Sequence, residues 1–252
     1  MYFVCQRGQT MGKLYKILFF LLVIGIIGVA SSMGIKEKQY HEAEKQYEEI
    51  NSSITNIQKK KTEKKSDEFT FDYKKLKEAN VDGIGYIRLK GTKLSYPVVR
   101  GADNSFYLNH DSYKRKSVYG AIFMDTNDTF DSFNCILYGH HMNNGSMFAT
   151  LKNFTDESFA KKHNEFDIYI EDTHYTYEVI SSFICDKRFA QVYTDRYFSD
   201  MEEQVYWEQS LISQSQIDYK VKPANEEDKT ITLSTCTNRG DTRYIVMLRR
   251  KE

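Results

Sequence analysis

Thr230-Ile231-Thr232-Leu233-Ser234-Thr235-Cys236, with Arg243-Tyr244-Ile245-Val246-Met247-Leu248 beginning seven residues after its cysteine, reads as two strands joined by an Asn238-Arg239-Gly240 turn. The first run ends in a thiol and the second begins with a guanidinium, a placement that can set two catalytic groups facing one cleft. A third apolar run, Cys135-Ile136-Leu137-Tyr138, leads into Gly139-His140-His141. Cysteine, histidine and arginine then supply a nucleophile, a proton carrier and an oxyanion partner.

Outward from these runs the pattern repeats. Strand-like segments fall at Gly85–Leu89, Leu94–Val99, Ala121–Asp125, Cys135–Tyr138, Phe166–Ile170, Tyr175–Cys185, Thr230–Cys236 and Tyr244–Arg249, separated by Gly, Asn and Asp turns. Short helices are expected at Tyr73–Ala79, Met147–Lys152 and Ser158–His163. A longer one, Asp200–Gln214, contains Trp207 and precedes the seventh strand. Eight strands with a few helices predict a mostly β fold, a barrel or sandwich with peripheral helices.

The N-terminal third is different. Ile17 to Ile35 is a 19-residue run without a charge, bracketed by Lys16 and Lys36. As a helix it spans about 28 Å, close to the hydrocarbon thickness of a bilayer. It exceeds the ~7–15 residues of a signal-peptide apolar region, which favours an uncleaved anchor although Val29-Ala30-Ser31-Ser32 offers small residues for cleavage. Basic residues balance across it (Arg7, Lys13 and Lys16 before; Lys36, Lys38 and Lys45 after), so the short N-terminal side sets the expected orientation, inside. Met11 offers a second start. The expected organisation is a cytoplasmic segment 1–16, a transmembrane signal-anchor 17–35, a helical stalk and linker 36–68, and an extracytoplasmic catalytic domain 69–252. In the stalk, Tyr40, Ala43, Tyr47, Ile50, Ile54 and Ile57 form an a/d stripe of under three heptads. That is short for a coiled coil and predicts a helix leading into the domain. The following Lys59-Lys60-Lys61 and Lys64-Lys65 read as a solvated linker.

Charge is balanced, 35 basic against 35 acidic, so a nucleic-acid partner is not expected. Two prolines and 14% aromatic residues argue against a disordered chain. With Cys5 on the far side of the span, Cys135, Cys185 and Cys236 are an odd set, and at least one thiol stays free. Cys135 and Cys185 read as small buried apolar groups, with a bridge between them as the alternative. No Cys-x-x-Cys or zincin spacing is present, and no metal or cofactor is expected. Asp125, Asp128 and Asp131 lack the EF-hand glycine and terminal glutamate and read as a solvated acidic loop.

At reference pKa values about 3% of cysteine is thiolate and about a quarter of histidine is imidazolium at pH 7. Independent titration puts the charged pair at roughly 1%, a minor form on which an enzyme can run. Arg243 does not deprotonate; its five donors suit an oxyanion or a substrate backbone.

Thr230-Ile-Thr-Leu-Ser-Thr-Cys236 with Arg243-Tyr-Ile-Val resembles the signature of sortases, cysteine transpeptidases of Gram-positive cell surfaces. Ile136-Leu-Tyr-Gly-His140 resembles the segment carrying their histidine. Asp82-Gly-Ile-Gly-Tyr-Ile-Arg-Leu with Thr92-Lys-Leu-Ser-Tyr-Pro-Val98, Asn104-Ser-Phe-Tyr-Leu108 leading to Tyr119-Gly-Ala-Ile-Phe-Met-Asp125, and His140-His-Met-Asn-Asn-Gly-Ser-Met-Phe148 look like the class B branch. The resemblance covers about residues 70–250 in family order.

It implies an eight-stranded sortase β-barrel, and attack by Cys236 on the Thr carbonyl of a sorting motif, an Asn-Pro-x-Thr-x type of pentapeptide. The thioacyl enzyme is then resolved by an amine of a cell-wall precursor or another protein. His140 becomes the acid/base, preferred to His141, and Arg243 the oxyanion and substrate clamp, preferred to Arg239. Ser234 and Thr237 flank the nucleophile, and the Thr237 backbone N–H is a candidate oxyanion donor. Asn104 and Leu108 match groove positions, and Tyr193, Tyr197 and Phe198 match more loosely. Tyr86 departs from the tryptophan common in this branch. Alternatives are a sortase-fold hydrolase, a pilin-polymerising sortase and a non-catalytic surface binding module.

Overall fold

The computed structural model describes residues 3–58, 68–186, 188, 193, 198, 200–237 and 240–251. The chain divides into two compact units, Met1–Lys45 and Gln46–Glu252. The first is helical throughout its described residues, as part of α1 (Phe3–Ile54). Its most apolar stretch has a mean hydropathy of 2.5 and buries none of its residues, so the helix is long and apolar enough to cross a membrane.

The second unit is a closed mixed barrel of eight strands. In chain order these are β3 (Gly83–Arg88), β4 (Ser95–Val99), β5 (Ile122–Met124), β6 (Asn134–Tyr138), β7 (Glu165–Ile170), β8 (Thr173–Asp186), β9 (Thr230–Cys236) and β10 (Thr242–Arg250). Around the barrel the order is β10-β8-β7-β3-β4-β5-β6-β9. Each lies where the alternation and turn residues predict it. β4 pairs with β5 and β6 with β9 in parallel; the other contacts are antiparallel. β9 lies between β6 and β10, and all of it except Cys236 is buried. Its buried threonines are satisfied locally: the Thr230 and Thr232 hydroxyls both donate to Asn134 Oδ1, at 3.1 and 2.9 Å.

Among the described residues, three α-helices lie against the barrel: α2 (Tyr73–Ala79), α3 (Glu157–Lys162) and α4 (Met201–Ser213). Each begins at an aspartate whose carboxylate accepts a first-turn N–H: Asp72 from Lys75, Asp156 from Phe159 and Asp200 from Glu203. Met147–Lys152, read as a short helix, falls in a 3-10 helix over Phe148–Thr155. α4 packs Trp207 and Leu211 on Ile180, Phe183, Ile245 and Met247. Buried Glu208 on α4 meets Arg249 of β10 at 2.7 Å, and Arg249 also meets Asp228 at 3.1 Å.

The end of α1 belongs to the barrel unit. Tyr47, Ile50 and Ile54 are buried, Tyr47 Oη donates to Gly120 O at 2.6 Å, and Asn51 Nδ2 donates to Ser95 O at 3.1 Å. Tyr86 is buried with its hydroxyl donating to Asn51 Oδ1 at 3.0 Å, a bond that an indole at this position would make differently. The heptad spacing through Ile57 does not continue as helix: Thr55–Gln58 is a strand, β1, paired antiparallel with β2 (Glu68–Phe71).

Candidate active site

Parallel pairing of β6 with β9 sets Tyr138 opposite Ser234, and the Gly139 N–H donates to Ser234 O at 3.3 Å. The residues that leave these two strands, Gly139-His140 and Cys236, therefore emerge at the same end of the barrel. Antiparallel pairing brings Arg243 opposite Cys236 on one side and opposite Cys185 on the other. Directly opposed residues share a face, so the guanidinium lies on the face of the thiol. The long β4–β5 connection arches over the same end and carries Asn104 and Leu108.

These elements enclose a pocket of about 480 Å³ lined by Asn104, Leu108, His140, Tyr193, Ser234, Cys236 and Arg243, with Phe123, Tyr138, Gly139 and Thr235 completing the wall. Cysteine, histidine and arginine, far apart in the chain, thus share one cavity.

Glycine makes the histidine's position possible. A Cβ on Gly139 would lie 2.4 Å from Ile122 Cδ1 and 2.8 Å from Phe148 Cδ2. Gly120, at φ +57°, lets the β4–β5 connection pass so close that its own Cβ would lie 2.9 Å from Leu108 O and 3.1 Å from His140 Cδ2. Leu108 O is the partner of His140: the imidazole Nε2 donates to it at 2.7 Å. A carbonyl only accepts, so Nε2 carries the proton of this hydrogen bond and the bond leaves Nδ1 unused.

Arg243 Nη1 donates to Gly240 O at 3.0 Å and to Thr242 O at 2.9 Å, bonds that brace the guanidinium against its own turn. Tyr193 shares a 2.5 Å hydrogen bond between its hydroxyl and that of Ser234 and stacks on Tyr138, with centroids 6.4 Å apart. Burial pushes the Tyr193 phenol up to about 12, so it stays neutral beside the thiol. Burial also raises the Cys185 thiol to about 11, against the pull of Arg243, and raises that of Cys135 further. Cys135, Cys185 and Cys236 are all free thiols, so the alternative of a Cys135–Cys185 bridge is not realised.

Three expectations for the site change. The Thr237 N–H, a candidate oxyanion donor, donates to Thr242 O at 3.1 Å, and Thr237 does not line the pocket. Phe198 packs away from the pocket against Phe133 and Trp207, with ring centroids 5.8 and 5.6 Å away. Asp125 and Asp128 are buried rather than solvated, since both accept backbone N–H groups: Asp125 from Asn127 and Asp128 from Ile136. Tyr197 and Arg239 lie outside the described residues. His141 does not line the pocket; its ring lies beside Tyr244, with centroids 5.8 Å apart, and desolvation lowers its pKa. No cluster of ligating side chains suited to a metal occurs among the described residues. Phe123 and Tyr138 were missed as pocket residues, although both stand at or next to the last residue of an apolar run, the position that flagged Cys236.

A family model described as a sortase domain matches residues 87–251. Sortase B of Listeria monocytogenes is 32% identical over 169 residues, 66% of this chain and 67% of that protein. Sortase B of Staphylococcus aureus is 30% identical over 237 residues, 90% of this chain and 91% of that protein. Among solved structures, sortase B of Bacillus anthracis in complex with AAEK1 superposes with a TM-score of 0.72 at 25% identity, covering 85% of this chain and 99% of that one. The Staphylococcus aureus sortase B–substrate complex gives 0.66 at 29% identity, covering 71% and 84%.

Proposed function

Because the chain belongs to the sortase family, in its class B branch, and is a cysteine transpeptidase, we propose that Cys236, His140 and Arg243 carry out its chemistry on an Asn-Pro-x-Thr-x type of sorting motif. The observation that supports this most is their convergence on one pocket. The Cys236 thiolate attacks the Thr carbonyl carbon, and the carbonyl electron pair moves to oxygen. Arg243 donates to that oxyanion. Collapse breaks the peptide bond after Thr, and His140 as imidazolium gives its Nδ1 proton to the departing amine. An amine from a cell-wall precursor or a protein then attacks the thioester. His140 takes that amine's proton, an amide forms and the thiolate leaves.

Asn104, Leu108, Ser234 and Tyr193 form the groove for the sorting motif. A membrane-anchored enzyme with its catalytic domain on the outer face fits the apolar helix. In this reading 1–16 is cytoplasmic, 17–35 is the single-pass anchor, 36–68 joins it to the domain, and 69–252 is catalytic. Incubation with Asn-Pro-x-Thr-x peptides, with and without a primary amine, tests the reading. The expected products are the amide with amine and the free acid without it, and neither with Cys236→Ala. Release of acid alone, even at high amine, would make the chain a hydrolase.

A further inference from the structure

Asp125, just beyond β5, is buried, carries a carboxylate and takes no part in the chemistry above. Its Oδ2 accepts from Asn104 Nδ2 at 2.9 Å and from Tyr138 Oη at 3.1 Å. Its Oδ1 accepts from Asn127 N at 3.1 Å and Asn127 Nδ2 at 3.2 Å. The next residue completes the arrangement: Thr126 N–H donates to Asn104 Oδ1 at 3.0 Å.

The amide of Asn104 is therefore held at both ends. A backbone N–H only donates and a carboxylate only accepts, so the orientation of the amide is fixed by its partners. Its oxygen is occupied, one Nδ2 hydrogen is occupied, and one Nδ2 hydrogen remains on a residue that lines the pocket. The same carboxylate oxygen holds Tyr138, which stacks on Tyr193 and packs on Phe123, with centroids 6.4 and 5.4 Å away. One buried group thus sets two walls of the cavity.

We propose that Asp125 is a positioning residue for substrate selection: it locks Asn104 so that the groove presents an N–H donor, selecting a substrate oxygen acceptor and rejecting a donor at that place. The inference rests on the groove assignment made above. A specific consequence is a preference for a carbonyl or amide oxygen in the part of the sorting peptide that reaches Asn104.

The test uses Asp125→Asn, Asn104→Ala and the double variant in the full chain. Asp125→Asn replaces one acceptor oxygen with a donor while keeping the shape. KM for the sorting peptide is expected to rise about tenfold with kcat within about threefold, and the double variant to be within about twofold of Asn104→Ala, because the effect of Asp125 on KM runs through Asn104 rather than through Tyr138. Alkylation of Cys236 by iodoacetamide should keep its rate and pH profile. Independent multiplication of the two effects, an unchanged KM, or equal loss of alkylation would overturn the proposal. A second readout needs no substrate: the Asn104 side-chain amide in ¹⁵N spectra should be ordered in the parent and mobile in Asp125→Asn. An amide that stays ordered overturns the positioning role, whereas a parent that cleaves no sorting peptide overturns the groove assignment instead.

Discussion

Gly120→Ala tests how the histidine is held. Gly120 has φ +57°, and an alanine there costs roughly 1 kcal/mol in backbone conformation alone. Its Cβ would also sit 2.5 Å from Tyr107 O and 2.9 Å from Leu108 O. Close carbon–oxygen contacts run at about 3.3 Å, so the Tyr107 carbonyl must retreat by about 0.8 Å and the Leu108 carbonyl by about 0.4 Å. Both belong to the 3-10 turn Phe106–Leu108, which is pinned by buried Tyr107. Crowding of this kind adds about 1–3 kcal/mol, for a total loss of about 2–4 kcal/mol. The Leu108 carbonyl is also the acceptor of His140 Nε2, so the imidazole moves with it. Displacement of a catalytic group by less than 1 Å costs about 10- to 100-fold in kcat/KM. Gly145→Ala is the control: at φ +84° it carries the backbone cost, but nothing lies within 4 Å of its Cβ. Urea unfolding and peptide cleavage should show a loss of about 1 kcal/mol and full activity for Gly145→Ala, but both losses for Gly120→Ala. Equal activity in the two variants would refute the claim that the Leu108 carbonyl positions His140.

Other consequences concern charge and thiol chemistry. Burial pushes the Glu208 carboxyl up to about 7, outweighing the pull of Arg249. The folded state then keeps a proton that the unfolded state has lost above 4.5, so this group makes stability fall as pH rises from about 4.5 to about 7, by on the order of 3 kcal/mol. Denaturation of Glu208→Gln at pH 5 and pH 7.5 should lack that slope, and an unchanged slope would place the titration elsewhere. With its thiol at about 11, Cys185 is about 0.1% thiolate at pH 8 and should alkylate more than about 100-fold slower than free cysteine. Peptide mapping after iodoacetamide treatment measures this, and comparable rates would contradict the burial argument. Arg243→Lys keeps the charge but loses the planar fork braced by Gly240 O and Thr242 O. It should lower kcat/KM at least about 100-fold; a loss under about threefold would mean that charge alone suffices.

The barrel was legible because its strands are local statements. β9 and β10 announce themselves by β-branched runs, and the helix starts at Asp72 and Asp200 by capping chemistry that acts within four residues. The meeting of Cys236 with His140 was also legible, through motif resemblance rather than through pattern. What escaped depends on distant partners. Ile57 continued a helical stripe on paper, yet β2 supplies a strand partner and the helix stops at Ile54. Asp125 and Asp128 looked like loop charges because nothing nearby in sequence announces Asn104, Tyr138 and the Ile136 N–H as their donors. The Thr237 N–H is consumed by Thr242 O, a partner that residue type does not announce. Phe198 is an aromatic whose direction was settled by Trp207.

Intact-mass spectrometry of the enzyme mixed with an Asn-Pro-x-Thr-x peptide, followed by peptide mapping, measures the central claim directly. A single acyl adduct at Cys236 is predicted, carrying the peptide up to its Thr and discharged by added amine, and absent in Cys236→Ala. An adduct on Cys185 or Cys135, or none across a broad peptide library while cleavage proceeds, would contradict a thioacyl enzyme at Cys236.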